Sequence, residues 1–343
     1  MTRVVKIVLA CFLILLMHGI ITPCPEGLAQ GKPLPPVVVI GAAEPGSTVY
    51  SLSVPIAATV SKYAGFRVNV EPIGASEKCL PYLERGEIHV SCFWSPELVA
   101  YVNGKWWVKE SRPWIRTVLN HCEGTYVWIT RGDSGIKSWK DAEGKKFASY
   151  IAGLQAAGIL FNDAILDRHG IKKIVRVTVP NFSAAVREII EGRAHVGTSP
   201  VSPRLVEAEK GPGGMELLPI TQADVDHINK RAGAQIVHLA KIAPGFLGLR
   251  AFAKGGDCVG DRGVWITHKD VQDELIYRLV KATYEHFDEY KDAYPRAKEV
   301  TLENALATFV APYHPGAVRY FKEKGIWKAD QEKRQSELLA IMK

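Results

Sequence analysis

Short apolar runs alternate with stretches of helical spacing along most of the chain. Residues 37–40 are consecutive β-branched apolar side chains, the pattern of a strand buried on both faces, and a turn containing Gly and Pro follows over 41–48. Residues 50–64 repeat apolar positions at helical spacing, and 67–72 alternate as a half-buried strand does. Residues 76–85 read as a helix closed by Gly86, and 88–93 as the next strand. A strand–helix–strand–helix–strand series implies right-handed crossovers and a mostly parallel sheet. An apolar strand at 126–130 and a break at 131–135 precede a second series. Its elements are a strand at 146–150, a helix at 155–169, a strand at 176–179, a helix at 182–191 ended by Gly192, a strand at 195–198, a helix at 203–210 and a strand at 216–220. Residues 243–263 are Gly-rich and read as irregular, and a strand at 264–267 follows. Helices are expected over 269–290 and 301–311, near 315–324, and over 330–342.

Two α/β series and a helical tail predict a discontinuous first lobe, residues 37–130 and 264–343, and a second lobe, residues 131–263. The length of 343 residues agrees with two lobes, since single cores rarely grow past about 250 residues. Two crossing segments would form a hinge, with a cleft between the lobes. Ligands bind at such interfaces and outside the C-terminal ends of parallel strands.

The N-terminus changes the picture. Residues 1–6 hold Arg3 and Lys6 and no acid, residues 7–17 are an unbroken apolar run, and a more polar stretch ends in Gly27-Leu28-Ala29. This is the layout of a secretory signal peptide over residues 1–29, and the run is shorter than the roughly 20 residues a spanning helix needs. A retained N-terminal anchor is the other reading. Export places the remaining chain in the periplasm, where Cys79, Cys92, Cys122 and Cys258 could pair in three ways that the sequence does not choose among. The formal charge is +7, and +6 without the leader. Lys and Arg are dispersed among acids, so no nucleic-acid surface is indicated.

The chemistry-bearing residues sit just past predicted strands. Gly46, Ser47, Thr48 and Tyr50 lie at a strand end, a turn and a helix start, where free N–H groups can hold a carboxylate or simply cap a helix. Gly74, Ser76 and Glu77 occupy the second such turn, and Trp94 and Ser95 the third. In the second lobe the matching positions are Tyr150, Gly153, Gln155, Asn181, Thr198 and Ser199, which bring hydroxyls, amides and a ring and no charge. Such a lining orients a ligand. No G-x-S-x-G or H-E-x-x-H motif occurs. His121, Cys122 and Glu123 are adjacent, and neighbours on a strand face opposite ways, so they do not converge on one metal ion. No cofactor is called for, and the chain is read as a monomer.

Four segments resemble one family. Ile40-Gly-Ala-Ala-Glu-Pro-Gly-Ser-Thr-Val-Tyr50, Glu71-Pro-Ile-Gly-Ala-Ser-Glu77, Arg131-Gly-Asp-Ser-Gly-Ile-Lys-Ser138 and Pro312-Tyr-His-Pro-Gly-Ala-Val-Arg-Tyr-Phe-Lys-Glu-Lys-Gly325 are similar, in order, to the TAXI family of solute-binding subunits of tripartite ATP-independent periplasmic (TRAP) transporters. The resemblance spans residues 37–327. It implies an α/β, type II periplasmic-binding-protein fold with two lobes, a hinge and a ligand cleft. It also implies a small-molecule ligand, a carboxylate such as glutamate or glutamine, and delivery to TRAP membrane permease subunits. Two segments depart from the family pattern, 152–158 in the second lobe and Trp94-Ser-Pro-Glu97, and they point away from glutamate to a larger, more apolar acid, an aromatic acid among the candidates. An exported enzyme on the same bilobal frame and a sensor presenting ligand to a membrane kinase are the alternatives.

Overall fold

Two long antiparallel strands organise the chain. The computed structural model describes residues 33–43, 45, 47–74, 76–150, 156–202 and 204–342. Pro36–Lys343 form one compact unit; of the preceding unit, Met1–Pro35, only residues 33–35 are described, and they carry no helix or strand. The expected leader lies outside the described residues.

The strands are β1 (Val37–Ala42), β2 (Arg67–Pro72), β3 (Val90–Trp94), β4 (Ile115–Arg131), β5 (Lys146–Tyr150), β6 (Val175–Val179), β7 (Val196–Pro200), β8 (Met215–Leu218), β9 (His238–Ile242) and β10 (Gly256–His268). They join one ten-stranded sheet in the order β2-β1-β3-β10-β4-β7-β5-β6, with β8 on β4 and β9 on β10. The pairs β1–β2, β1–β3, β5–β6 and β5–β7 are parallel, as strand–helix–strand crossovers require.

The helices are α1 (Thr48–Tyr63), α2 (Ser76–Glu84), α3 (Ser95–Asn103), α4 (Ala156–Arg168), α5 (Phe182–Ile190), α6 (Arg204–Lys210), α7 (Gln222–Ala232), α8 (Asp273–Glu285), α9 (Pro315–Glu323) and α10 (Ala329–Ile341). α1 shows why they form: Val49, Leu52, Ser53, Ile56, Ala57 and Val60 recur at helical spacing and are buried. One apolar core holds Cys79, Leu83, Phe93, Leu98, Ile115 and Ile266, and Met342, at the end of α10, seals it. Another is built from Trp128, Phe147, Phe161, Val196, Leu205 and Ile228.

β4 and β10 run through both cores. Towards the first, Gly263–Ile266 pair with β3 and Val264–His268 with Ile115–Asn120. Towards the second, Gly256–Gly260 pair with β9, and Tyr126–Thr130 with β7. Between these stretches the two strands pair only with each other, Asp261 opposite Gly124 and Arg262 opposite Glu123, with a register shift between Arg262 and Val264. This two-stranded waist is the narrowest part of the sheet.

Three expected elements are corrected. Residues 243–263 are not irregular throughout, because Gly256–Gly263 belong to β10. Its glycines are places of close approach: a Cβ on Gly260 would lie 2.7 Å from His238 Nε2, and one on Gly263 would lie 2.0 Å from the His121 ring. Residues 301–311 form turns, not a helix. Their carbonyls are engaged elsewhere: Asn120 Nδ2 donates to Ala305 O (2.5 Å), and the Tyr313 hydroxyl faces the carbonyls of Ala305 (2.9 Å) and Thr308 (3.1 Å). The expected helix at 269–290 is shorter, ending at Glu285, with a 3-10 turn at Phe287–Glu289.

Candidate functional site

The ends of the parallel strands from both cores meet at the waist. β3 ends at Trp94, paired with Gly263 of β10. β7 ends at Pro200, paired with Tyr126 of β4, and Val201 N donates to Thr125 O (2.8 Å). β5 ends at Tyr150, whose hydroxyl donates to Thr198 O in β7. The residues between these levels are His121–Thr125 on β4 and Asp261–Arg262 on β10.

The 3-10 turn Pro295–Glu299 grips the waist. Glu299 accepts from Glu123 N (2.6 Å), while Arg296 donates to Glu123 O (2.6 Å) and Thr125 Oγ1 (3.1 Å) and pairs with Glu299 (3.0 Å). The Glu123 carboxylate meets His238 Nε2 and stands 4.0 Å from Arg262 Nη2. Burial opposes the Glu123 charge, but His238, Arg262 and Arg296 outweigh it and hold the carboxyl below its ordinary range. Behind them His121 is wedged between two thiols, Nε2 2.6 Å from Cys92 Sγ and Nδ1 3.0 Å from Cys122 Sγ. Burial pushes its imidazole down to about 3, so it is neutral. Cys79, Cys92, Cys122 and Cys258 are all free and buried.

The turn residues expected at the rim are largely committed to the fold. Ser47 caps α1, its hydroxyl accepting from Tyr50 N (3.1 Å), and Thr48 Oγ1 meets the Tyr294 hydroxyl (3.2 Å). Gly74, at φ +122, donates its N–H to Ala42 O (3.1 Å) and ties the exit of β2 to β1. Ser76 hydrogen-bonds the Glu97 carboxyl, which also accepts from Trp94 N (3.3 Å). Ser95 is buried, donating its hydroxyl to Arg262 O (2.8 Å) and accepting from Arg262 N (3.2 Å). In the second core Thr198 donates to Asn162, which also accepts from Trp128 Nε1 (2.8 Å). Ser199 donates to Pro200 O (2.9 Å), and Asn181 caps α5 by accepting from Ala184 N (2.8 Å). Gly46, Gly153 and Gln155 lie outside the described residues.

Trp94 and Glu77 differ from these. Trp94 is half-buried and set edge-on to His121, ring centroids 5.4 Å apart. The Glu77 carboxylate oxygens are shut from solvent with no hydrogen-bond partner, and burial raises the carboxyl above its ordinary range. Glu97, buried on α3, is raised further by burial and then by the nearby Glu77 charge. Sequence reasoning missed Asp261, Arg262, Tyr126 and Arg296. The first two fell in the stretch read as irregular. The apolar positions Val259 and Val264 on either side of Gly260-Asp261-Arg262-Gly263, in a chain that needs a second crossing strand, were the available signal.

Residues 40–325 match the profile of the NMT1-like family. Among solved structures, the periplasmic binding protein BugD is 13% identical, with 89% of this chain and 96% of that one covered and a TM-score of 0.52. MatC (Rpa3494) from Rhodopseudomonas palustris, solved with bound malate, is 10% identical, with 90% and 100% covered and a TM-score of 0.52. A structure described as a periplasmic transporter is 12% identical, with 88% and 95% covered and a TM-score of 0.51. At these identities the likeness concerns the fold, which is the two-lobed α/β arrangement of periplasmic binding proteins.

Proposed function

Because the chain belongs to the NMT1-like family, we propose that it is an extracytoplasmic solute receptor, a binding protein rather than an enzyme, that closes two lobes around a small organic carboxylate and delivers it to a membrane permease of the TRAP type. The finer placement in the TAXI family rests on the four sequence segments already described. The observation that carries the reading is the waist: two strands alone join the sheet's halves, and the C-terminal ends of β3, β5 and β7 converge on it. That is the geometry of a hinge beneath a ligand, since two paired strands can bend where a broad sheet cannot.

In this reading the lobes part at the waist, near residues 121–125 and 261–262, whereas the sequence expectation put the crossings at 130–131 and 263–264. Arg262 and Arg296 bring guanidinium groups to this level, a chemistry suited to a carboxylate. The malate bound to MatC is an acid of this class, borne by a protein of the same fold. The apolar N-terminal run supports export to the periplasm. Among the described residues, no helix is long and apolar enough to cross a membrane.

A thermal-shift and Trp-fluorescence screen against small mono- and dicarboxylates tests the reading. A ligand at 100 times its Kd stabilises the native state by about 2.7 kcal/mol and raises the melting temperature. A panel of aliphatic, aromatic and amino acids that leaves both melting temperature and emission unchanged would sink it.

A further inference from the structure

At the waist, side chains cover both outer edges of the two-stranded ribbon where strands cover them elsewhere. Glu123 of β4 and Arg262 of β10 stand opposite one another. On the β10 edge, the Ser95 hydroxyl donates to Arg262 O (2.8 Å) and accepts from Arg262 N (3.2 Å). On the β4 edge, Glu299 accepts from Glu123 N (2.6 Å) and Arg296 donates to Glu123 O (2.6 Å). A strand edge without a neighbouring strand still has N–H and C=O groups to satisfy, and these two clamps satisfy them. Both clamps come from the first half. Ser95 directly follows Trp94, which ends β3. The 3-10 turn carrying Arg296 and Glu299 follows Tyr294, whose hydroxyl meets Thr48 Oγ1 of α1 (3.2 Å).

Two residues further along each strand the attachments change sides. Thr125 O accepts from Val201 N (2.8 Å), just past β7, and Gly260 pairs with His238 of β9. Glu123 and Arg262 therefore move with the first half, and Thr125 and Gly260 with the second. Between them lie Gly124 and Asp261, paired with each other. Two side-chain bonds cross this line in opposite directions. Arg296 of the first half donates to Thr125 Oγ1 (3.1 Å), and His238 of the second half reaches over Gly260 to the Glu123 carboxylate. A Cβ on Gly260 would lie 2.7 Å from His238 Nε2, so glycine is needed under that crossing. An apolar contact also spans the halves: Val99 of α3 and Trp107 pack against the second core, while Leu98 and Val102 of the same helix belong to the first.

We propose that the hinge axis passes through Gly124 and Asp261, one residue of each crossing strand, and that the Arg296–Thr125 and His238–Glu123 bonds are locks across it that hold the lobes closed. This assignment rests on the solute-receptor reading and deepens it. Rotation is confined to one residue pair because the backbone on either side is clamped to a different half. Ser95 is then a positioning residue: its hydroxyl fastens the turn after β3 to Arg262, so that turn and the fixed side of the hinge move as one body. Opening the lobes breaks both locks and parts Val99 and Trp107 from the second core.

The test measures distances between spin labels in the protein without added ligand. The labels go on Glu71→Cys and Thr178→Cys, exposed positions on β2 and β6 at opposite edges of the sheet, while Cys79, Cys92, Cys122 and Cys258 are buried. Thr125→Val and His238→Ala each remove one lock. A control pair, Thr178→Cys with Lys210→Cys, lies within the second half. The expected result is a shift of the β2–β6 distances to longer values in each variant, further in the double variant, with the control pair unmoved. If Thr125→Val does not fold, His238→Ala decides, since its side chain is 41% exposed. Distances that match those of the parent in every folded variant, or a control pair that broadens alongside, overturn the assignment and leave the receptor reading standing. An acid panel that leaves the melting temperature unchanged overturns the receptor reading, whereas the locks, read without ligand, are judged by the distances alone.

Discussion

Gly316 offers a sharp test of how the first core is assembled. It stands at the start of α9, where an added Cβ would lie 2.2 Å from the Asp273 carbonyl oxygen and 2.9 Å from the Tyr277 backbone nitrogen of α8. Both obstacles are backbone, so no side chain can swing aside. To restore contact, α9 must back away by about 1 Å, lifting Ala317, Tyr320 and Phe321, all buried, from their places. Overpacking of this kind costs about 3 kcal/mol, and the better helix propensity of Ala returns at most about 1 kcal/mol. Gly316→Ala should therefore lose about 2 kcal/mol, lowering the melting temperature by about 4 °C. Gly325→Ala is the companion: φ is +69 and nothing lies within 4 Å of its Cβ position, so only the left-handed backbone is penalised, by about 1 kcal/mol. Urea titration of both variants gives the two values. A Gly316→Ala protein as stable as its parent, or less affected than Gly325→Ala, would refute the claim that close backbone contact of α8 and α9 requires glycine here.

Burial pushes the His314 imidazole down to about 4, from an ordinary value of 6.5. The unfolded chain takes up a proton there below 6.5 and the folded one does not. The stability advantage of the parent over His314→Gln should thus be full above pH 6.5 and shrink as pH falls towards 4, by up to about 1.4 kcal/mol per unit; denaturant titrations at pH 7 and 5 that give the same difference would contradict this. Because Cys79, Cys92, Cys122 and Cys258 are free, dithiothreitol should leave the melting temperature unchanged, and a fall would reveal a disulfide. Trp107, in the loop after α3, packs against the second core, and Lys105 Nζ of the same loop lies 3.7 Å from the Cβ position of Gly233 at the end of α7. If this loop latches the lobes, Trp107→Ala should speed ligand release about tenfold with little change in association rate, which stopped-flow fluorescence would measure; an unchanged release rate removes the latch.

What the sequence disclosed follows from which patterns are local. β2 and β5 fell at their expected bounds because alternating or apolar runs bounded by turns need no tertiary information. α3 went unseen for the opposite reason: Ser95, Pro96, Glu97, Leu98, Val99, Ala100 and Val102 are all buried, so the helix has no polar face to set a period. α7 has few apolar positions, but Thr221 and Asp224 form a capping box at its start, a signal that was there to be read. The helix expected over residues 301–311 had a helical pattern that lost to long-range bonds from Asn120 and Tyr313. β10 was half concealed by Gly256, Gly260 and Gly263, residues that weaken a strand taken alone and are required where His238 and His121 lie across it.

The same distinction separates caps from ligand-selecting groups. Every strand-to-helix turn at the rim must satisfy the N–H groups of the helix it starts, so Ser47 and Asn181 are enriched there for reasons that need no ligand. Ser47→Ala should accordingly cost about 1 kcal/mol of stability, and its effect on affinity is limited to what a loosened α1 transmits. Polar residues inside the crossing strands have no such obligation. Asn120 and Asp261 both lie there: Asn120 Nδ2 is spent on residue 305 and Tyr313, Asp261 Oδ2 accepts from Tyr126, and each keeps one buried oxygen without a partner. In a fold whose two halves share only a pair of strands, a buried carboxyl on those strands feels both lobes at once.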